Sequence, residues 1–313
     1  MPVKSGIPQS SVLGPILFIL FINDLPDNIK SSLKIFADDT KLFKVVADIH
    51  DKKELQQDLN SLAKWSKKWQ LPFNETKCKV IHYGKKNPKN QYDMNGVVLE
   101  CDTEEKDLGV TFDSDLKFST HIQNIAAKAN SRVGIIKRTF CTLNKENFPL
   151  LYKSFVRPLL EYCTPVWCPT LSKDILALEK VQRRATKLVK GLQNVEYEDR
   201  LKILGLPTLL YRRKRADMLE VYKILHGFSN VDSEKFFQIN KREGSRGHSL
   251  KLIKPKPNTD MRKNSFSHRI VNTWNSLSEE VVSADSINSF KDRLNKFWKN
   301  EPGKFNPDIK NYS

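Results

Sequence analysis

The chain has 313 residues and a formal net charge of +17. Its length allows two or three compact domains of roughly 100–200 residues each, and 39% hydrophobic residues are enough to bury a core. This composition excludes collagen, coiled-coil and multi-span membrane proteins. Five cysteines without regular spacing predict no disulfide framework. They favour a reducing intracellular compartment, either nucleus or cytoplasm, over secretion.

The positive charge is unevenly distributed along the chain. Residues 1–124 carry 17 Lys or Arg and 17 Asp or Glu, so the whole excess of +17 lies in the residues that follow. Such an asymmetry indicates a basic surface that faces a polyanion, with nucleic acid as the first choice and a membrane surface as the second. A basic surface that only keeps the protein soluble is the alternative.

The first predicted element is an apolar helix. Val12–Ile22 is an unbroken apolar run, and Pro15 near its start suits the first turn of a helix. The run is too short to span a bilayer, which needs about 20 residues. No small-residue cleavage site follows it, which argues against a secretory signal. We therefore expect a buried helix that begins near Pro15.

The residues that follow predict a mixture of helix and strand. Two apolar stretches within 33–46 flank Asp38 and Asp39, as in a hairpin with an acidic tip. A helix is predicted over 51–69, where Asp51 and Glu54 resemble a capping box. Short strands are predicted at 78–83, 96–100 and 108–112, with Asn87-Pro88 and Asn95-Gly96 as turns.

From about residue 120 the predicted structure is helical. Prolines and glycines separate the helices, and polar residues after Gly227 predict a loop-rich segment as far as Pro257. The predicted helices cover 120–140, 145–163, 173–190 and 208–226, with shorter ones at 265–281 and 286–299.

The predicted helix at 173–190 has one basic face. At 100° per residue its apolar side chains fall within an arc of roughly 140°. The opposite arc is basic and only Glu179 offsets it, whereas a solvated face usually mixes both signs. We interpret it as a face that contacts nucleic-acid phosphates, with an ordinary solvated surface as the alternative. Its cations are Lys180, Arg183, Arg184, Lys187 and Lys190, and Arg212, Arg213 and Arg215 add to them from a run of four cations on the next helix.

The two adjacent carboxylates are candidate metal ligands. Side chains alternate along a strand, so those of Asp38 and Asp39 converge only where the chain turns. Like charges so close together need a cation or a proton, and Mg²⁺ takes oxygen ligands and pairs with phosphates. Because most Asp-Asp pairs are turn or cap residues, the pair alone leaves both interpretations open.

Longer motifs carry a resemblance to a known family. The segment SGIPQSSVLGPILFILFINDLP at 5–26, followed by FADD at 36–39, resembles polymerase motifs B and C of reverse transcriptases from non-LTR, LINE-type retrotransposons, especially jockey-like ones. NETKCKV at 74–80 looks like motif D of the same family. Further similar segments, leading into and beyond the family's thumb, lie at 106–122, 151–167, 178–189, 200–225 and 270–282.

The resemblance implies RNA-directed DNA synthesis with two Mg²⁺ ions. Asp38 and Asp39 would be catalytic metal ligands, and Lys77 would lie near the leaving phosphate unless it is an ordinary surface lysine. The implied partners are an RNA template, a DNA primer or duplex and deoxynucleoside triphosphates, with no membrane. The residues that would contact the incoming nucleotide and the template are Gly6, Pro8, Gln9, Phe36 and Ala37.

The chain also departs from the family pattern. Ser10 stands where the family usually has a glycine that allows close backbone approach. Met1 precedes motif B by only a few residues, so the fingers and another essential metal-binding Asp would lie upstream of this chain. We therefore expect a protein that is inactive alone and is completed by the upstream half of the polymerase. Cys141, Cys163 and Cys168 lack the spacing of zinc ligands.

These expectations define one architecture and three functions. The fold class is α+β, with a truncated polymerase palm over 1–119, a helical thumb over 120–226 and a loop-rich basic region with short helices over 227–313. The favoured function is a retrotransposon reverse transcriptase that is truncated and inactive alone. The alternatives are a non-enzymatic nucleic-acid-binding remnant that uses its basic helices, and a translated fragment without function.

Overall fold

The computed structural model describes residues 12–240 and 247–307. They belong to two compact units, 1–105 and 106–313, and both helices and strands are present, as the sequence predicts. The division predicted at 119 and 226 stays a prediction. Among the described residues, no helix is both long enough and apolar enough to cross a membrane.

Over its described residues, 12–105, the first unit consists of two α-helices, a 3₁₀ turn and several short strands. Strands β1 and β2 pair antiparallel, β3 and β6 pair parallel, and β4 and β5 form a small antiparallel hairpin. The elements are α1 (Leu13–Phe21), β1 (Ser32–Phe36), β2 (Asp39–Phe43), α2 (Ile49–Trp69), β3 (Lys79–Ile81), β4 (Asp93–Met94), β5 (Val97–Val98), β6 (Glu100–Asp102) and the start of β7 (Glu104–Asp107). The turn between β4 and β5 is the predicted Asn95-Gly96, and both residues have positive φ, as a tight hairpin turn requires.

Helix α1 begins where the sequence predicts, but the expectation that it is buried is wrong. No residue of α1 is buried, and the buried apolar side chains follow it at Ile22 and Leu25. The helix is apolar on every side, and its last residue, Phe21, is the one that packs edge-to-face on Trp65 and Trp69 of α2. The other apolar side chains of α1 therefore stay largely exposed.

Helix α2 begins with a capping box, but one turn earlier than predicted. Asp48 is the N-cap and accepts a hydrogen bond from the N–H of Asp51 at 2.9 Å, and the Asp51 carboxylate accepts the N–H of Asp48 in return. Glu54 does not take part, because it binds the Lys44 ammonium at 2.8 Å. Asp51, at the third helical position, therefore fills the capping-box position that was predicted for Glu54.

Helices dominate the second unit. Two hydrophobic clusters fill it, one formed by residues between Val110 and Leu209 and the other by residues between Tyr211 and Trp298. The elements are β8 (Val110–Asp113), α3 (Ser119–Thr139), α4 (Asn147–Leu151), α5 (Arg157–Glu161), α6 (Thr164–Trp167), α7 (Ser172–Thr186), α8 (Tyr197–Leu204), α9 (Leu209–Leu225), α10 (Asp260–Asn264), α11 (Phe266–Arg269), α12 (Val271–Asn275), α13 (Glu279–Val282) and α14 (Ile287–Phe297). The change from one cluster to the other comes at the start of α9.

The predicted helix at 145–163 is interrupted in the structure. A π-helical turn, Tyr152–Val156, separates α4 from α5, and the N–H of Arg157 reaches the carbonyl of Tyr152. Pro158 follows directly as the second residue of α5, and because it has no N–H to donate to the preceding turn, the hydrogen-bond pattern changes at this point. Helices α6 and α8, which are only 4 and 8 residues long, were not predicted from the sequence.

Candidate active site and nucleic-acid interface

The acidic pair lies at the tip of the β1–β2 hairpin, as the sequence predicts. Phe36 pairs with Asp39 at the end of the ladder, so Ala37 and Asp38 form a two-residue turn. Ala37 has a φ of 50°, a left-handed conformation that costs an L residue about 1–2 kcal/mol. The turn brings Asp38 and Asp39 together at an exposed end of the hairpin.

Neither carboxylate of this tip takes part in holding the fold. Both side chains are exposed, and across residues 12–240 and 247–307 neither carboxylate makes a hydrogen bond or an ion pair. Mg²⁺ prefers carboxylate oxygens and keeps several of its waters. The free oxygens of this pair therefore fit a divalent cation, although two side chains supply only part of its coordination shell.

A buried carboxylate fixes where the hairpin begins. Asp58 on α2 is 2% exposed and accepts the backbone N–H groups of Lys30 at 3.0 Å and Ser31 at 2.8 Å. Strand β1 starts at the next residue, so these two bonds set its position against α2. Leu33, Ile35 and Leu42 then pack one face of the hairpin on the core of the first unit.

Lys77 ends a single 3₁₀ turn, Glu75–Lys77, just before β3. Cys78 and Val80, which follow it, pack in the same hydrophobic cluster as the hairpin. The Lys77 side chain is exposed, and no hydrogen bond or ion pair joins it to Asp38 or Asp39 in the described structure. Its role beside the leaving phosphate stays a prediction.

The predicted nucleotide and template contacts divide into two groups. Gly6, Pro8 and Gln9 lie outside the described residues. Phe36 and Ala37 lie at the hairpin tip, directly before the acidic pair, and the Phe36 ring is 63% exposed. An exposed aromatic ring at this place is available for stacking on a base or a sugar, but its predicted contact stays untested.

One other group of metal-binding side chains occurs in the described chain, at Asp48, His50 and Asp51. Its two carboxylates form the capping box of α2, and Asp51 also accepts the N–H of Ala47 and lies 3.5 Å from the Lys44 ammonium. The hydrogen bond from Ala47 is the largest cause that lowers the pKa of Asp51. This group is accounted for as a helix cap.

The basic face predicted on α7 is exposed, and the apolar arc opposite it is buried. Leu178, Val181 and Ala185 have no exposed surface, which confirms the predicted orientation of the helix. The five cations are all exposed, and within the described chain none of them forms an ion pair: Lys180, Arg183, Arg184, Lys187 and Lys190.

Glu179 does not offset these cations at the surface, which corrects the sequence analysis. It is 5% exposed and accepts the Tyr197 hydroxyl at 2.6 Å and the N–H of Leu209 at 3.1 Å. Burial raises the pKa of its carboxyl. The exposed face of α7 is therefore more uniformly basic than the sequence pattern indicates.

The buried guanidinium of Arg200 caps the carboxyl-terminal end of α7. Arg200 is 2% exposed, and it donates to the Thr186 hydroxyl at 3.1 Å and to the carbonyl of Arg183 at 3.4 Å. The helix ends at Thr186, so Lys187 and Lys190 lie in the turns beyond it. Helix and turn together present the five cations.

The run Arg212–Arg215 does not form one basic surface. Arg213 is 1% exposed, and its guanidinium has no hydrogen-bond partner among the described residues. Arg212 binds both oxygens of Glu161, and Arg215 donates to the Asn295 side chain at 2.9 Å. Successive helical residues are about 100° apart, so four in a row surround the helix instead of sharing a face.

Comparison with known proteins finds a family match over the part of the chain that contains the acidic hairpin. Residues 1–112, which contain it, match the family model described as Reverse transcriptase (RNA-dependent DNA polymerase). Residues 1–112 are therefore similar to this family. The match confirms the resemblance that the motifs at 5–26 and 36–39 carry.

Curated relatives extend the similarity beyond residues 1–112. The chain is 27% identical over 203 residues to the RNA-directed DNA polymerase from mobile element jockey of Drosophila melanogaster, an alignment that covers 61% of this chain and 22% of that protein. It is 26% identical over 202 residues to the probable RNA-directed DNA polymerase from transposon X-element of the same species, again covering 61% and 22%. The jockey polymerase of Drosophila funebris is 27% identical over 202 residues, covering 60% and 22%. The chain thus matches about a fifth of the length of these relatives, and no solved structure matches it.

Proposed function

We propose that this chain is the palm and thumb portion of a non-LTR retrotransposon reverse transcriptase. The observation that carries the proposal is the exposed Asp38-Asp39 tip of the β1–β2 hairpin, inside the segment that matches the family. RNA-directed DNA synthesis, with an RNA template, a DNA primer and deoxynucleoside triphosphates, is the activity that this relationship supports.

Asp38 and Asp39 would hold the divalent cation through their free carboxylates. When bound, such a cation activates the primer hydroxyl and neutralises charge on the pyrophosphate that leaves. Within residues 12–240 and 247–307, no third His, Cys, Asp or Glu forms a ligand group with this pair. We therefore infer that the pair acts together with a carboxylate from another polypeptide segment, and that the chain does not polymerise DNA by itself.

The metal-binding role can be tested with Mn²⁺, which broadens the NMR signals of nearby nuclei. In the full chain we expect Mn²⁺ to broaden the amide signals of residues 36–40. Asp38→Asn should abolish this broadening. Asp27→Asn, which removes an exposed carboxylate outside the tip, should leave it unchanged. Broadening that survives Asp38→Asn and Asp39→Asn would contradict the proposed site.

A second candidate function is nucleic-acid binding without catalysis, and the basic face of α7 favours it. Five exposed cations that form no ion pair in the described chain resemble a face that contacts a phosphate backbone. Each duplex-DNA phosphate contact contributes about −0.9 to the slope of log K against log salt, so five contacts give a slope of about −4.5. Sequence preference should be slight, because phosphate contacts position a duplex without reading its bases.

A charge-matched comparison separates specific contacts from bulk charge. Replacing Arg183 and Arg184 by Ala should reduce the magnitude of the slope by about 2 if both contact phosphate. The control adds Asn230→Lys and Gln238→Lys to that variant, at exposed positions after α9, and so restores the net charge. If the control regains the affinity and slope of the wild type, bulk charge alone explains binding and the α7 face has no specific role.

A further inference from the structure

A small cleft in the second unit is lined by three elements, and its cations come from two that are distant in the sequence. It has a volume of about 240 Å³ and lies between the first turns of α9, the end of α14 and the 3₁₀ turn Pro302–Lys304. Its lining residues are Pro207, Tyr211, Arg212, Arg215, Asn295 and Lys304.

Hydrogen bonds hold the turn at 302–304 against the start of α9. The N–H of Thr208 donates to the carbonyl of Lys304 at 2.9 Å, and the Thr208 hydroxyl donates to the carbonyl of Gly303 at 2.8 Å. Thr208 has no exposed surface. Next to these bonds, the Lys214 ammonium lies 2.6 Å from the Glu301 carboxylate. Lys304 is therefore fixed beside a helix that begins almost 100 residues earlier.

The charges of the cleft are not balanced. Glu161 compensates Arg212, with Nη2 of the guanidinium 2.7 Å from the carboxylate. In the described chain no carboxylate is within ion-pair distance of Arg215 or Lys304. Arg215 donates through Nε to the uncharged Asn295 side chain, which leaves its two terminal nitrogens available. Burial, and then the like charge of Arg212, lower the pKa of Arg215.

We propose that this cleft binds a phosphate group. Guanidinium forks match the oxygens of a phosphate, and a lysine ammonium adds a mobile point charge beside them. A bound dianion would compensate Arg215 and Lys304 together. The volume is below the roughly 300 Å³ at which pockets for drug-sized ligands begin, so a small oxyanion suits the cleft better than a large organic molecule. The phosphate has two sources, the backbone of a nucleic acid or free inorganic phosphate.

The inference does not depend on the proposed polymerase function, because phosphate binding is measured without template or primer. Isothermal titration of the full chain with inorganic phosphate, at constant ionic strength, should show one saturable site. Arg215→Gln and Lys304→Gln should each weaken it at least tenfold. Lys296→Gln removes the same charge from an exposed position on α14 beside Asn295, and it should leave the affinity unchanged.

Two outcomes would overturn the proposal: no saturable phosphate binding by the wild type, or equal weakening by Lys296→Gln. Arg215 is half-buried, so circular dichroism and thermal unfolding would check that its variant still folds. If the Arg215 variant does not fold, Lys304→Gln on a surface turn still tests whether the cleft binds phosphate.

A duplex-binding arm then assigns the source of the phosphate. The same variants are titrated with a short DNA duplex. If Lys304→Gln weakens binding of both phosphate and duplex, the cleft holds a backbone phosphate. If it weakens only phosphate binding, the ligand is the free anion. Duplex binding that weakens while phosphate binding does not would contradict a phosphate site in the cleft.

Discussion

The first unit has a small core, whose buried apolar side chains are Leu25, Leu62, Ala63, Met94 and Leu99. Its helix α1 is entirely apolar, but none of its residues is buried. In the second unit, two clusters bury large aromatic residues completely, Trp167 in one and Trp274 in the other. The acidic pair belongs to the unit with the small core, and the basic face of α7 to the unit with the large ones. From this difference we infer that the unit with the acidic pair needs a packing partner, whereas the unit with the two large clusters is stable through its own contacts.

The exposed surface of α1 is the main reason for this inference. Ile16, Leu17, Ile19 and Leu20 are each about half exposed or more, and apolar patches of this kind mark interaction sites or aggregation hazards. The α7 region of the second unit differs, since even its buried polar groups, such as Gln182, have partners within the unit: Gln182 accepts the Tyr152 hydroxyl and donates to the carbonyl of Pro207.

The largest expected effect comes from expressing the units separately. Residues 106–313 should be monodisperse and should unfold in one cooperative transition, because both large clusters lie within them. Residues 1–105 should aggregate, because α1 is uncovered and the core is small. Light scattering after gel filtration and thermal unfolding measure both properties. A monodisperse, cooperatively unfolding 1–105 fragment would show that the contrast between the units is wrong.

The next effect should come from Glu179→Ala in the second unit. It leaves the Tyr197 hydroxyl and the N–H of Leu209 without their acceptor, and an unpaired buried group of this kind costs about 3 kcal/mol. Chemical denaturation measures the free energy of unfolding. The matched control is Lys180→Ala, one residue along on the exposed face, which should change stability by less than about 0.5 kcal/mol. Equal effects of the two variants would refute the buried network.

Glu179 also predicts a pH dependence. Burial raises its pKa in the folded protein above the ordinary value of 4.5, so the folded state binds the proton more tightly than the unfolded state. Stability contributed by this group therefore falls as pH rises from about 4.5 towards the raised pKa. Glu179→Gln should make the fall shallower but not remove it, because burial raises the pKa of Asp217 in the same direction. An unchanged pH profile would contradict a raised pKa at Glu179.

A smaller effect is expected from Asp58→Ala in the first unit. The substitution leaves the N–H groups of Lys30 and Ser31 without their acceptor, which costs about 2 kcal/mol. Gln57→Ala, on the exposed side of the same helix, is the control and should be nearly neutral. Amide exchange at 32–36 should rise in the Asp58 variant, and exchange that stays as slow as in the control would show that Asp58 does not position the hairpin.

Local patterns predicted much of the fold because they depend on neighbouring residues. The apolar arc of α7 followed from helical periodicity, and the β1–β2 turn followed from two apolar stretches around an acidic pair. The burial of Glu179 could not be predicted, because its partners lie 18 and 30 residues away. Asp58 gave a weak signal, since it falls on the same face of α2 as the apolar Leu55 and Leu62.

The exposure of α1 had no local signal. A helix that is apolar on every side lacks the periodicity that would show which face packs, so its burial depends on the partners available in three dimensions. The prediction that Arg212–Arg215 form one basic surface was wrong for a related reason. Consecutive charges suggest a patch in the sequence, but the helix directs Arg213 into the core and leaves Arg212 beside Glu161.

We propose that the chain holds a primer–template duplex through its basic second unit but cannot extend the primer with Asp38 and Asp39 alone. One measurement tests it most directly: primer extension by the full chain with Mg²⁺ or Mn²⁺, at a concentration where a labelled RNA–DNA duplex is shown to be bound. We expect full binding and no incorporation above background. Incorporation that is lost in Asp38→Asn would contradict the claim, and so would failure of the chain to bind the duplex.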